Sequence, residues 1–82
     1  MKVRILGCGG SFGSPLAWER NGNIDIEDSK NFRTRSSVLI NNNNQNILID
    51  TSPDLRYQLY KAKCTNIDAV LFTHEHSDHT AG

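Results

Sequence analysis

The stretch Val70-Leu71-Phe72-Thr73-His74-Glu75-His76-Ser77-Asp78-His79 decides how the rest of this 82-residue chain is read. An apolar run, Ile67 to Phe72, leads straight into the three histidines of the protein, with an aspartate between the second and the third. Imidazole nitrogen and carboxylate oxygen are the usual ligands of zinc and similar divalent ions. In extended backbone, side chains two apart point the same way, so His74 and His76 can reach one ion. Asp78 and His79 follow as the chain turns into a helix; they point elsewhere and can hold a second ion. Two-metal hydrolytic sites keep their ions about 3.5–4 Å apart and clamp both sides of the reacting centre. Glu75 and Ser77 alternate away from the ligand side. One histidine at a strand end is commonly a surface or hydrogen-bonded residue. Four ligand-type residues in this order after an apolar strand meet several coordination requirements at once. The expected metal ligands are His74, His76, Asp78 and His79, and Asp78 is also the residue expected to help handle a proton in catalysis.

Working outward, composition sets bounds. Nine basic and nine acidic residues leave a formal net charge of zero, which offers no broad attraction for nucleic acid or an anionic membrane. No apolar run is long enough to cross a bilayer. Lys2 and Arg4 are not followed by the apolar stretch and cleavage site of a signal peptide, so the expected location is the cytoplasm. Cys8 and Cys64 form no C-x-x-C pair and read as free cytosolic thiols. A chain of this size makes one small domain at most, with a modest core.

Lys2 to Leu6 alternates as a first strand and runs into the glycine-rich loop Gly7 to Pro15. That loop reads equally well as a plain turn or as one that approaches a phosphate through its amides. Leu16 to Arg33 is the least patterned part, with Trp18 either pinning the loop or lining a pocket. Arg35 to Ile40 and Ile47 to Asp50 read as a hairpin around the polar turn Asn41 to Asn46. Ser52 as N-cap, Pro53 at the first helical position and Asp54 beside the positive end of the helix dipole predict a helix of about ten residues. Leu55, Leu59 and Ala62 form its apolar stripe. A strand, helix, strand order predicts a crossover packed on one sheet.

Thr73-His74-Glu75-His76-Ser77-Asp78-His79 resembles the T-H-x-H-x-D-H motif of the metallo-β-lactamase-fold hydrolases. The resemblance implies that His74 and His76 bind the first metal and Asp78 and His79 the second. The family completes its sites with a further His, a bridging Asp and another His, all downstream of the position of Gly82. Gly7-Cys8-Gly9-Gly10-Ser11-Phe12-Gly13-Ser14-Pro15 is similar to the G-x-G-x-S-x-G-x-P opening of the PhnP-type phosphodiesterase branch, to which ribonuclease Z is a cousin. Thr34-Arg35-Ser36-Ser37 and Ile47-Leu48-Ile49-Asp50-Thr51-Ser52-Pro53-Asp54-Leu55-Arg56 resemble further segments of that branch. In the family the Asp matching Asp50 sits under the metal loop and hydrogen-bonds it, which implies a carboxylate behind the ligands that orients a histidine. Capping the Ser52-Pro53 turn is its other reading, and both roles are compatible. The branch often carries a cysteine cluster for a structural zinc after the opening loop. Leu16 to Phe32 contains no Cys and no His, so no structural zinc is expected there.

The expected fold is therefore α/β (α+β): the N-terminal portion of a metallo-β-lactamase αββα sandwich, about four strands plus one helix, forming a single incomplete domain over residues 1–82. The resemblance implies a divalent-metal cofactor, two ions of zinc or manganese, and hydrolysis of a phosphodiester-type small molecule. Activity is expected to require the missing half, supplied by a second chain or by continuing sequence. A ribonuclease Z-like nuclease, a non-catalytic remnant and a partner-binding module are the other readings. Val38, Ile40, Ile47, Ile49, Val70 and Phe72 are expected to include residues that lose the cover of the second layer, biasing the chain towards self-association or a partner.

Overall fold

Alternating side chains build the sheet, and a two-residue turn sets its register. The protein is described here by a computed structural model covering residues 1–16 and 31–82. Trp18 and most of the loop in which no structural zinc is expected lie outside the described residues. β1 spans Lys2–Gly7, β2 Ser37–Asn42 and β3 Gln45–Ile49. The polar turn contracts from the expected six residues to Asn43 and Asn44, both in the left-handed region at φ 51° and 65°. Asparagine tolerates that conformation, and the paired φ > 0 residues match the twist of a tight hairpin. Asn41 and Asn42 join the ladder opposite Asn46 and Gln45, and the Asn41 amide donates to Asn46 Oδ1 at 2.8 Å.

Helix α1, Leu55–Lys61, then carries the chain over to β4, Ala69–Leu71, and a short helix α2, Ser77–Thr80, closes the described chain. The sheet order is β1-β2-β3-β4, antiparallel for the first two pairings and parallel for β3 with β4. This is the mixed four-stranded α/β arrangement expected, with two short helices where one was expected. Among the described residues, no helix is long and apolar enough to cross a membrane.

Register sorts the side chains into two faces. Arg4, Leu39, Leu48 and Val70 share one face by pairing. The end of α1 lies over it, because Ala62, Lys63 and Cys64 line a cleft together with Arg4 and Leu39. Leu39 and Leu48 are the buried apolar core there, at 8% and 1% exposure. Val3, Ile5, Val38, Ile40, Ile47, Ile49 and Leu71 share the opposite face, where Val3, Ile5 and Leu71 are more than half exposed. An open apolar face is thus present, but its β4 members are Ala69 and Leu71, although Val70 and Phe72 are also exposed. Val70 pairs with Leu48 towards the helix side, and Phe72 lies beyond the strand. The correction follows from the parallel pairing of β4, which aligns Val70 and not Leu71 with the buried Leu48.

α1 has seven residues, shorter than the expected ten, and its N-cap is Asp54 instead of Ser52. Asp54 makes no side-chain cap hydrogen bond. Its carboxylate accepts Arg35 Nε and Nη2 at 2.9 and 2.8 Å and the Arg35 amide at 3.0 Å, so it is not free to bond the first helical turn. Ser52 still helps, because its hydroxyl accepts the Asp54 N–H at 3.1 Å. The same hydroxyl donates to Gln58 Oε1 at 2.7 Å, and Gln58 Nε2 donates to the Arg35 carbonyl and the Thr34 hydroxyl. Gln58 is thereby a buried polar residue with its donors and acceptor matched, standing on the stripe where an apolar residue would be expected.

The fork of Arg35 on Asp54 joins the start of β2 to the start of α1. Its bidentate, charge-assisted geometry is the strong kind of ion pair. The Arg35 hydrogen bond, outweighing the effect of partial burial, holds the Asp54 carboxyl below its ordinary value. A lowered folded-state pKa means that the stabilisation is complete above about pH 4, the unfolded carboxylate value, and is lost as pH falls through the folded value. Asp54→Asn is expected to lower the unfolding free energy at neutral pH by about 1.5–3 kcal/mol, the range for hydrogen bonds to a charged group. Urea titrations should show the variant and the parent converging in acid.

Candidate metal centre

β3 ends where Asp50 turns the chain outwards. The Asp50 amide still donates to Leu71 O at 2.8 Å, extending the ladder, but its φ of 63° breaks the strand. Aspartate is one of the few side chains that visits the left-handed region readily. The turn drops its side chain, 6% exposed, beneath the histidine loop. Three donors converge on it, each at 2.7 Å: Thr73 N–H on Oδ1, and the Thr73 hydroxyl and His79 Nδ1 on Oδ2. Burial pushes this carboxyl up, but the hydrogen bonds from Thr73 and His79 together outweigh it, and the net shift is downward. Of the two readings of Asp50 drawn from the sequence, the side chain takes the one beneath the histidine loop; its carboxylate bonds are to Thr73 and His79.

Backbone bonds lace the two loops together. Thr51 N–H donates to His79 O at 2.9 Å and Gly82 N–H to Thr51 O at 3.0 Å. A Cβ on Gly82 would run into the Ser52 carbonyl oxygen, so that approach requires glycine.

The ligand-type residues sit just past the strand. β4 stops at Leu71, so His74 and His76 are delivered by an irregular segment and not by the strand itself. His76, at φ −58° and ψ 142°, is nonetheless extended, and it precedes α2 as its N-cap. Ring centroids lie 4.6 Å apart for His74 and His76 and 4.1 Å apart for His74 and His79. Asp78 Oδ2 lies 3.2 Å from His79 Nε2. His74 is therefore packed against both other imidazoles, and Asp78 against His79. The chain turns into a helix here as expected, α2 beginning at Ser77, but the turn brings the His79 ring back against His74 instead of pointing it elsewhere.

Hydrogen counting tests whether this set fits a cation. Asp50 as a carboxylate can only accept, so His79 Nδ1 must carry the proton it shares with Asp50. In the neutral ring Nε2 is then a bare lone pair, and it faces a second acceptor, Asp78 Oδ2. A second ring proton pairs the two as imidazolium and carboxylate, and a cation beside them does the same; nitrogen with carboxylate oxygen is a donor set suited to zinc and related ions. Asp50, His74 and His79 also offer ligand atoms within 4.8 Å of one another. Both Asp50 oxygens already accept hydrogen bonds from Thr73 and His79.

The glycine-rich loop is strapped down by backbone pairing. Gly9 N–H donates to Thr34 O at 2.7 Å, and Ser14 exchanges two bonds with Arg33. A Cβ at Gly9 would crowd the Arg33 and Thr34 carbonyls at 2.7 and 2.8 Å. These contacts fix the loop through its backbone.

With the geometry in hand, comparison with known proteins gives four findings. Residues 45–82 match the family described as the β-lactamase superfamily domain. A solved structure described as a new diphosphatase from the PhnP family superposes with a TM-score of 0.91 at 35% identity, over 98% of this chain and 32% of that one. Zinc-bound PqqB from Methylobacterium extorquens superposes with a TM-score of 0.82 at 29% identity, over 100% of this chain and 34% of that one. A protein named octanoyltransferase from Porphyromonas gingivalis is 43% identical over 83 residues, covering 100% of this chain and 17% of that protein. The chain thus spans about a third of the solved neighbours and a smaller share of the curated relative. Residues 45–82 thus carry the β-lactamase superfamily domain, and the chain as a whole is similar in fold to the two solved neighbours.

Asp50→Asn keeps the size and the left-handed turn but places amide hydrogens against donors. It is expected to destabilise the fold by about 1–3 kcal/mol, the cost of leaving buried donors unmatched. Urea unfolding should show this, with Asp50→Ala worse still because alanine resists positive φ.

Proposed function

We propose that this chain supplies the first ligands of a metal-dependent hydrolase acting on a phosphodiester-type substrate. The observation that carries this is the facing pair His79 Nε2 and Asp78 Oδ2 at 3.2 Å, with His74 packed on His79. His74 and His76 would hold one divalent ion, and Asp78 with His79 a second. Such ions supply Lewis-acid polarisation of phosphoryl oxygens and lower the pKa of water. The chain's own residues bind and orient: Asp50 directs His79, and Asp78 is placed to hold or pass a proton.

Zinc is favoured by the zinc-bound PqqB neighbour, and manganese is the other ion to test. Support for phosphorus chemistry comes from the PhnP-family neighbour. Because that protein is a diphosphatase, a diphosphate is the second substrate to assay. Four ligands are few for two ions, and a fuller set would come from protein outside these residues or from a second chain, which would also cover the open apolar face. Cys8 and Cys64 are free thiols, in keeping with a cytoplasmic setting. A ribonuclease Z-like activity is the less favoured reading, since the net charge of zero offers no footprint for a polyanion.

The test is metal content and bis-(p-nitrophenyl) phosphate hydrolysis after loading with zinc or manganese. The intact polypeptide is expected to bind metal and turn over, and His76→Ala to abolish turnover. The 82-residue stretch by itself is expected to bind metal without turnover. Activity of that stretch, lost in His76→Ala, would overturn the need for further ligands; absence of metal uptake in the intact polypeptide would overturn the ligand assignment.

A further inference from the structure

Thr73 is named in the sequence only as the letter before the first histidine, yet its hydroxyl touches both the buried carboxylate and a ligand-type ring. Thr73 Oγ1 lies 2.7 Å from Asp50 Oδ2 and 2.8 Å from His74 Nδ1. A hydroxyl has one hydrogen, and a carboxylate has none to give. The Thr73 hydrogen must therefore go to Asp50. Towards His74 the same oxygen is left with only lone pairs, so the proton in that contact must come from His74 Nδ1.

We propose that Thr73 is a positioning residue: it passes the Asp50 hydrogen bond on to His74, holds that ring as the Nδ1–H tautomer and leaves Nε2 to an ion. A single buried carboxylate then sets the tautomers of two ligands, His79 directly and His74 through one hydroxyl. The side chain also has a fixed place from which to do this. Thr73 N–H donates to Asp50 Oδ1 while its hydroxyl donates to Oδ2, so backbone and side chain of one residue span the whole carboxylate. Threonine suits the task because its branched Cβ restricts χ1. A serine would keep the hydrogen bonds with more freedom, and a valine would keep the shape with no acceptor for His74.

This assignment rests on the metal-ligand reading of His74, but the test separates the two. Ring nitrogens of His74 are read by long-range proton–nitrogen correlation in the metal-free intact polypeptide, at a pH above the ordinary histidine value, and zinc affinity is measured separately by chelator competition. The parent protein is expected to show His74 protonated on Nδ1. Thr73→Val is expected to shift it towards the Nε2–H form and to weaken zinc binding by about 10–100-fold, the range for losing a partner behind a ligand. Thr73→Ser is expected to restore both. A parent spectrum with His74 protonated on Nε2, or a Thr73→Val spectrum identical to the parent, overturns the proposal. The parent spectrum decides this even should the valine variant fail to fold. A parent protein that shows the Nδ1–H tautomer but takes up no zinc overturns the metal reading instead and leaves the relay standing.

Discussion

The Asp50 carboxylate is the constraint on which the candidate site depends. It is nearly inaccessible to water, held on a left-handed residue at the end of the central strand β3. A buried carboxylate is tolerable only when its charge is met by donors. Thr73 and His79 provide them, and in doing so they are fixed in place. The cost of burying the charge and the order of the histidine loop are two sides of one arrangement. This also explains the strained backbone: only a turn with positive φ drops the side chain back under a loop that follows the neighbouring parallel strand β4.

A second polar junction holds the opposite end of the crossover. Arg35 clasps Asp54, and Gln58 reaches from α1 to Ser52, Thr34 and the Arg35 carbonyl. With Leu39 and Leu48 the only buried apolar side chains among the described residues, the apolar core is thin, and these matched polar contacts carry specificity that packing alone would not. The open face of the sheet fits the same picture. Its Val3, Ile5 and Leu71 are more than half exposed, and the protein's solved neighbours are about three times as long.

Much of this was legible before any coordinates. Alternation in Lys2 to Leu6, Arg35 to Ile40 and Ile47 to Asp50 marks the strands, because period two is the geometry of a pleated strand. The T-H-x-H-x-D-H spacing marks the ligand-type residues, since few other uses would place four such side chains in that order. Less legible were the ends of elements. Ser52-Pro53-Asp54 reads as a helix start, but the helix begins at Leu55, and the Asp54 carboxylate is taken by Arg35, nearly twenty residues earlier. Val70 and Phe72 read as open-face residues, but parallel pairing puts Leu71 there.

Local pattern by itself determined the strands, the crossover order and the chemistry of the ligand set, since each depends on residues adjacent along the chain. Tertiary structure alone decided which proton sits where. That Asp50 speaks to His79 directly and to His74 through Thr73 depends on a strand end and a loop meeting across more than twenty residues. Hydrogen-bond direction is a property of such meetings, and no spacing along one chain contains it.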